Sequence, residues 1–147
     1  MATRRILGIE TSCDETSAAV LRLEDGRPIL DSLVILSQDI HRVFGGVVPE
    51  LASREHLRTI GPVVDRALAE AGIGATQVDG IAVTAGPGLV GALLVGLMYG
   101  KGLAFGLGKP FIGVHHLEGH LFAPTLEHPN LSPPFVALMV SGGHTML

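Results

Sequence analysis

Residues 89–108, LVGALLVGLMYGKGLAFGLG, restrict the fold of this chain more than any other segment, because they are almost entirely apolar. A helix that is apolar on every side must be buried in a protein core or in a membrane. The segment is nearly long enough to cross a bilayer and has a Gly96-x-x-x-Gly100 spacing, but Lys101 interrupts it and further glycines dilute it. We therefore predict a buried helix packed closely on a β-sheet, and no membrane span.

The rest of the chain supplies strands for such a sheet. Three apolar segments joined by turn signals come first, and strands then alternate with helices. The predicted strands are Arg4–Glu10, Ser17–Leu23, Pro28–Leu36, Gly80–Thr84, Pro110–Val114 and Phe135–Val140, and the predicted helices run from Pro49 to Gly72, from Gly88 to Gly108 and through the histidine-rich residues after Val114. This order predicts an α/β fold with a mixed β-sheet and helices on both faces. Within the first helix, Pro62 is expected to cause a kink or a break.

The composition indicates a folded domain in a reducing compartment. Hydrophobic residues make up 47% of the 147 residues and charged residues 16%, which excludes a disordered chain and allows a sizeable core. The single cysteine, Cys13, excludes an internal disulfide. The formal net charge of −4 gives no reason to expect general affinity for nucleic acid. Since the N-terminus lacks the pattern of a signal peptide, a cytoplasmic location is expected.

The hexapeptide HHLEGH at residues 115–120 predicts a metal site. His116 and His120 are four residues apart and so share one face of a helix, as zinc-binding histidine pairs do. Glu118 lies two residues from each of them and points about 200° away, which makes it a poor third ligand. In His-Glu-x-x-His metalloproteases a glutamate directly follows the first histidine, but here Leu117 occupies that position.

The segment GPGLVG at residues 86–91 matches the Gly-x-Gly-x-x-Gly fingerprint of dinucleotide-binding folds. The fingerprint needs an acidic residue at the end of the next strand to bind the ribose, and no Asp or Glu occurs from Tyr99 to Leu117. We interpret these glycines as a tight turn and a close helix contact. An anion site at the helix N-terminus remains the alternative.

A polar turn follows the first predicted strand, within IETSCDETSAA at residues 9–19. Backbone N–H groups in such a turn can bind phosphate, and Asp14 and Glu15 have the chemistry to hold a cation or position a water. The alternative is a solvated hairpin tip. Cys13 is interpreted as a small turn residue rather than a nucleophile, since no histidine lies near it in sequence. His56, on the predicted first helix, is assigned either to the cleft or to the surface.

The segment VSGGHTML at residues 140–147 has the same strand–turn–strand form. Two such hairpins facing each other are the nucleotide-binding plan of actin-like ATPases and sugar kinases. The motifs GIETSCDET, GGVVPELASREH, TAGPGLVGALLVG, VHHLEGH and FVALMVSGGHT stand in the order found in the TsaD family, also called Gcp. The chain resembles this family over essentially its whole length.

The resemblance implies both fold and function. Members of the TsaD family are tRNA threonylcarbamoyladenosine transferases with an actin-like ATPase (ribonuclease H-like) fold of two lobes. They transfer the threonylcarbamoyl group from threonylcarbamoyl-adenylate to the exocyclic amine of the adenosine beside the anticodon of tRNA. They bind one divalent metal ion, iron or zinc, and bacterial members work with a truncated paralogue, TsaB, and an ATPase, TsaE. On this basis residues 1–134 are expected to form the first lobe and residues 135–147 the start of a second, truncated lobe.

The site residues of the family carry over by position. His116 and His120 match its metal-binding histidines, and Asp14 and Glu15 match acidic residues implicated in activity. The substrate-binding segment corresponds to Met139, Val140, Ser141, Gly142 and Gly143. In the family a third metal ligand, an aspartate, and further adenylate-binding residues occur later, in the second lobe. This chain alone is therefore expected to be inactive.

Two other functions are kept as alternatives. One is a non-catalytic scaffold lobe like the truncated paralogue, which predicts a degraded histidine pair, whereas His116 and His120 are both present. The other is a metalloendopeptidase, in line with the older name glycoprotease, which the positions of the two histidines and Glu118 weigh against.

Overall fold

A computed structural model describes residues 3–128, 130–140 and 145–147. Its main feature is a five-stranded sheet in the order β3-β2-β1-β4-β5. The elements of this sheet and its helices are β1 (Arg4–Glu10), β2 (Glu15–Glu24), β3 (Arg27–Ser37), α1 (Pro49–Glu70), β4 (Gly80–Gly86), α2 (Val90–Leu107), β5 (Phe111–His115), α3 (His116–Phe122) and α4 (Pro124–Glu127). Two short 3₁₀ helices span Asp39–Phe44 and Ala75–Gln77, and β6 (Met139–Val140) pairs with β7 (Thr145–Met146) in a separate two-stranded sheet.

Strand β1 lies at the centre of the sheet and joins its antiparallel and parallel halves. It pairs antiparallel with β2, where Ile9 lies opposite Ala18, and parallel with β4, where Ile9 lies opposite Val83. The outer pairs follow the same division, because β2 and β3 are antiparallel while β4 and β5 are parallel. The predicted mixed sheet is therefore confirmed.

The core lies between the sheet and the two long helices, which share one face. Helix α1 connects β3 to β4 and α2 connects β4 to β5, so both connections run the same way across the sheet. Right-handed crossovers in one direction place their helices on one side. The buried side chains of this layer include Leu7, Ile9, Val20, Val34, Val64, Ala67, Ile81 and Val83.

The opposite face of the sheet is only partly covered. Alternation along β1 places Glu10 on this second face, where it contacts His116 at the start of α3. Helices α3 and α4 contact β4, β5 and β3, so the expected α/β class with helices on both faces is confirmed. Leu33, Ile35 and Ile112 nevertheless remain exposed on this face in the described part of the chain.

Helix α2 contains the apolar segment and packs on the sheet through its smallest residues. The residues of its buried face are Ala92, Leu93, Gly96, Gly100 and Ala104. The predicted packing is confirmed, but burial on all sides is not, because Val90, Leu94, Met98 and Phe105 are exposed. With Leu57 and Ile60 of α1, Leu94 and Met98 line an apolar groove of about 650 Å³. By length and composition α2 would also be able to cross a membrane.

The close approach of α2 to the end of β1 depends on one missing side chain. The Thr11 hydroxyl, at the end of β1, donates a hydrogen bond to the carbonyl oxygen of Ala92 over 2.8 Å. A Cβ atom at Gly96, one turn further along α2, would collide with the same Thr11 hydroxyl oxygen. The helix and the strand can therefore meet only where α2 has no side chain.

Two sequence predictions about individual elements are wrong. Pro62 does not split α1, which runs as one helix from Pro49 to Glu70, so the predicted break is wrong. Pro62 and Arg58, whose carbonyl loses its helical partner, both lie on the exposed side, where water can replace that hydrogen bond. The strand predicted over residues 135–140 is limited to Met139–Val140, because its described partner β7 is only two residues long.

The polar turn between β1 and β2 is hydrogen-bonded to His56 of α1. The His56 side chain is fully buried, so its assignment to the surface is wrong. Its Nε2 atom lies 3.0 Å from the carbonyl oxygen of Cys13, and its Nδ1 atom lies 2.8 Å from the Thr16 hydroxyl. Since a carbonyl oxygen only accepts, Nε2 carries the proton and Nδ1 accepts from Thr16. Burial lowers the pKa of His56, which favours this neutral form.

The first prediction concerns the contact between α2 and β1. We expect Gly96→Ala to lower the free energy of unfolding by about 1–3 kcal/mol relative to Gly102→Ala, because added volume at a tight contact forces strain. Gly102 lies in the same helix with open space around it, so its replacement carries the same gain in helix propensity without the collision. Urea unfolding followed by circular dichroism measures the difference. Equal stabilities of the two variants would contradict the close contact.

The second prediction concerns pH. Because the folded-state pKa of His56 lies below its unfolded value, this residue contributes stability above the unfolded pKa, about 6.5, and the contribution is lost as the pH falls. We expect the free energy of unfolding to drop less between roughly pH 8 and pH 5 in His56→Gln than in the wild type. His128→Gln, at an exposed position, is the control and should keep the wild-type drop. An unchanged pH dependence in His56→Gln would contradict a buried neutral imidazole.

Candidate metal centre at the carboxyl edge of the sheet

The carboxyl ends of three parallel strands meet at one edge of the sheet. Glu10 ends β1, Gly86 ends β4 and His115 ends β5. In open α/β sheets ligands bind at this edge, where the residues that follow the strands come together. The polar residues singled out in the sequence at residues 11–16 and 115–120 both lie here.

The two histidines of α3 face each other. Their Nε2 atoms are 3.0 Å apart, and their rings are perpendicular with centroids 4.5 Å apart. Two nitrogen ligands at roughly 2.0–2.1 Å from a tetrahedral ion lie about 3.3 Å apart, so a small movement of either ring would let His116 and His120 hold one metal ion. His115 is not part of this pair, because its side chain caps α3 by accepting from the N–H of Leu117 over 3.3 Å.

Within residues 3–128, 130–140 and 145–147, no third His, Cys, Asp or Glu completes a metal-binding group with the histidine pair. Glu118 lies on the same short helix and is exposed. The helical spacing had placed its side chain on the face opposite the two histidines. It instead lines a cavity of about 600 Å³ together with Leu121, Phe135 and Met139.

A third polar group contacts the pair from β1, and sequence reasoning missed it. The Oε2 atom of Glu10 lies 3.4 Å from Nδ1 of His116, and the Ser12 hydroxyl lies 3.3 Å from the same nitrogen. The backbone N–H of Ser12 donates to the other oxygen of Glu10. The available signal was the alternation of β1, which places Glu10 away from the core at the carboxyl edge.

Glu10 is half-buried, yet it remains a carboxylate. Burial alone would raise its pKa, but hydrogen bonds from Ser12, Thr84 and His116 outweigh burial and lower it. An ionised carboxylate at this point holds two acceptor oxygens beside the imidazole of His116.

The predicted catalytic residues Asp14 and Glu15 lie on the same turn but have other described contacts. The backbone oxygen of Asp14 accepts from the N–H of Gln38 over 3.0 Å, and the Glu15 carboxylate accepts from the Ser37 hydroxyl over 2.9 Å. These contacts tie the turn to the end of β3. The roles of both carboxylates in catalysis stay predictions.

Cys13 lies at the tip of this turn and is exposed. Partial desolvation of the thiol group, followed by the neighbouring Asp14 carboxylate, nevertheless raises its pKa to about 11. The thiol is thus protonated at neutral pH, which makes it a poor nucleophile and supports its interpretation as a turn residue.

The loop GPGLVG packs against the turn rather than standing free. The N–H of Leu89 donates to the carbonyl oxygen of Ser12 over 2.7 Å, and a Cβ atom at Gly88 would lie 2.6 Å from that same oxygen. The predicted close contact of these glycines is therefore observed. The N–H of Leu89 is occupied by protein, which leaves it unable to bind an anion.

The predicted substrate-binding segment is only partly described. Met139 and Val140 form β6, and Met139 lines the cavity beside α3. Ser141, Gly142 and Gly143 lie outside the described residues.

Comparisons with known proteins agree with the motifs. The family model of the tRNA N6-adenosine threonylcarbamoyltransferase TsaD matches residues 29–147. A protein of this name from Gemmatimonas aurantiaca is 62% identical over 143 residues, which cover 97% of this chain and 40% of that protein. A protein with the same name from Clostridium perfringens (strain SM101) is 56% identical over 147 residues, which cover 100% of this chain and 43% of that protein. The chain thus spans about two fifths of the length of these relatives.

Solved structures show the same architecture. YeaZ from Pseudomonas aeruginosa, a TsaB-type protein with the actin-like ATPase fold, superposes with a TM-score of 0.63 and 25% sequence identity over 86% of this chain and 50% of its own. A second structure, of an uncharacterized protein with similarity to peptidase YeaZ from Pseudomonas aeruginosa, has a TM-score of 0.58 and 27% sequence identity. The match covers 76% of this chain and 43% of that one. The expected actin-like fold is confirmed. From the family match, the high identity to the curated relatives and the shared fold, this chain belongs to the TsaD family of tRNA N6-adenosine threonylcarbamoyltransferases.

Proposed function

We propose that this chain is the metal-binding lobe of an enzyme that makes threonylcarbamoyladenosine in tRNA. The observation that carries the proposal is the facing pair of His116 and His120 Nε2 atoms, 3.0 Å apart at the ligand-binding edge of a TsaD-family sheet. A structural role alone does not require two imidazole nitrogens to face each other on an exposed helix.

The proposed cofactor is one divalent ion, iron or zinc. Neutral imidazole nitrogens suit either metal, and His116 and His120 would supply two ligands. When bound, such an ion would act as a Lewis acid that orients the carbamoyl and threonyl oxygens of the substrate.

The proposed substrate is threonylcarbamoyl-adenylate, with tRNA as acceptor. The turn at residues 11–16 and the segment from Met139 to Gly143 would hold the adenylate, with Asp14 and Glu15 as the carboxylates that position a cation or a water. The adenosine amine forms a bond to the carbamoyl carbon, the bond from that carbon to the phosphate oxygen breaks, AMP leaves, and the amine loses a proton. Fixing the two reactants in this geometry supplies much of the rate.

Direct transfer needs no covalent enzyme intermediate. The only thiol of the chain, Cys13, has a pKa raised to about 11, so it offers almost no thiolate at neutral pH. This supports a reaction in which the chain binds and orients both substrates instead of carrying the transferred group.

The proposed setting is the cytoplasm, with protein partners. The net charge of −4 gives no general attraction for tRNA, so tRNA would be held by a local patch or through a partner. A TsaB-like paralogue and a TsaE-like ATPase are the proposed partners if the protein is bacterial. No membrane partner is proposed, since the small residues of α2 pack on the sheet.

The scaffold and metalloendopeptidase alternatives are less well supported. The curated relatives at 62% and 56% identity are named as transferases, whereas the match to YeaZ is at 25% identity. A non-catalytic scaffold protein would not need both metal-binding histidines. For a peptidase, the exposed Glu118 lacks the position of a general base beside the pair.

The test of function is a chimera in which this chain replaces the matching part of the Gemmatimonas aurantiaca relative. We expect the chimera, supplied with threonylcarbamoyl-adenylate, tRNA, metal and the TsaB-like and TsaE-like partners, to produce modified adenosine, measured by mass spectrometry of digested tRNA. The unaltered relative is the positive control, and the 147-residue chain alone should be inactive. An inactive chimera beside an active relative would contradict the proposed function.

Variants of the chimera test the metal site. His116→Ala and His120→Ala should each lose the bound metal, and activity should fall by at least roughly 100-fold. Even the loss of a residue that only hydrogen-bonds to a metal ligand costs about 10–100-fold in metal affinity or activity. Glu118→Gln should keep both, because its side chain does not join the pair. Metal content is measured by atomic emission on purified protein. Equal metal loss in all three variants would disprove the assignment of the histidines as the ligands.

A further inference from the structure

We infer that Glu10 is a positioning residue that holds His116 in the tautomer with the proton on Nδ1, and so keeps the Nε2 lone pair directed at His120. The inference rests on the proposed metal role of the histidine pair and adds the group that prepares one of its ligands. Glu10 and His116 are 106 residues apart in sequence and meet only because β1 and β5 end at the same edge of the sheet.

The hydrogen bonds around Nδ1 select the tautomer. A carboxylate has no proton to donate, so Oε2 of Glu10, 3.4 Å from Nδ1, is favourable only if Nδ1 carries a proton. The Ser12 hydroxyl, 3.3 Å from the same nitrogen, can accept as well as donate and therefore fits this tautomer. With the proton on Nε2 instead, a lone pair on Nδ1 would face the carboxylate.

The tautomer of His116 determines whether Nε2, on the opposite side of the ring, can bind a metal ion. With Nδ1 protonated, Nε2 of His116 keeps its lone pair and faces Nε2 of His120 at 3.0 Å. In the absence of metal, His120 can donate to it. A metal ion that takes the place of that proton finds one ligand already in the correct protonation state and ring orientation.

Glu10 is itself fixed, which a positioning residue must be. One of its carboxylate oxygens accepts from the backbone N–H of Ser12. The carbonyl oxygen of Ser12 in turn accepts from the N–H of Leu89 at the start of α2. The carboxylate is therefore held between the central strand and the adjoining turn, and its second oxygen has a defined direction toward His116.

A purely local role is the competing explanation, in which Glu10 only closes the turn through Ser12. Glu10→Gln separates the two. The amide oxygen of the glutamine can still accept from the Ser12 N–H, which preserves the turn, but its NH₂ group then faces Nδ1 as a donor. This favours the opposite tautomer of His116, with the proton on Nε2, the nitrogen that the metal needs.

The test uses the 147-residue chain at about pH 8, where imidazole is neutral. Long-range ¹H–¹⁵N NMR of the histidine rings should show the Nδ1–H tautomer for His116 in the wild type and the Nε2–H tautomer in Glu10→Gln, at little cost in urea stability. Zn²⁺ binding, measured by isothermal titration, should weaken roughly 10–100-fold. Glu118→Gln removes a charge near the pair without touching His116 and should change neither quantity.

Two outcomes would overturn the inference. One is an Nε2–H tautomer of His116 in the wild type, and the other is an Nδ1–H tautomer that persists in Glu10→Gln. A wild-type chain that binds no Zn²⁺ but shows the tautomer change would instead contradict the proposed metal site, while the role of Glu10 in orienting His116 would stand.

Discussion

The contact between the end of β1 and helix α2 is the constraint on which the rest of the structure depends. The Thr11 hydroxyl is bonded to the Ala92 carbonyl, and the space it needs exists only because Gly96 has no side chain. This contact keeps helix α2 close to the end of β1 and to the polar turn that follows it. A larger separation between β1 and α2 would break the hydrogen bond from the N–H of Leu89 to the carbonyl oxygen of Ser12, which is one of the bonds that hold the polar turn.

From this contact the polar turn is supported on three sides. Leu89, directly before α2, donates to Ser12, and His56 of α1 contacts the carbonyl oxygen of Cys13. At the end of β1, the Glu10 carboxylate accepts from the N–H of Ser12. These supports are a backbone group, the buried side chain of His56 and the half-buried side chain of Glu10, so the turn is ordered by the protein itself. In the proposed adenylate site, less of the binding energy would therefore be spent on ordering the turn and more on orienting the reacting atoms.

Short-range features of this protein could be predicted from sequence, and long-range ones could not. The first strand was predicted with its observed bounds, Arg4–Glu10, and the histidine pair followed from helical spacing. The contact of Glu10 with His116 escaped prediction because it depends on which strands become neighbours, and no local pattern states that. The burial of His56 was left open for the same reason. The unbroken helix through Pro62 shows that the local preference gives way where the freed carbonyl of Arg58 can bond to water.

The central position of β1 also governs how this chain is assembled in time. Its antiparallel partner follows at once, and hairpins form in about 1–10 μs. Its parallel partner, β4, begins far along the chain. Directly before β4, the Asp79 carboxylate accepts from the N–H of Arg5, which lies 74 residues earlier. At a synthesis rate of roughly 5–20 residues per second, that partner is translated about 4–15 s later. Until β4 has been translated, one edge of β1 has no strand to pair with, although the hairpin of β1 and β2 is already able to form.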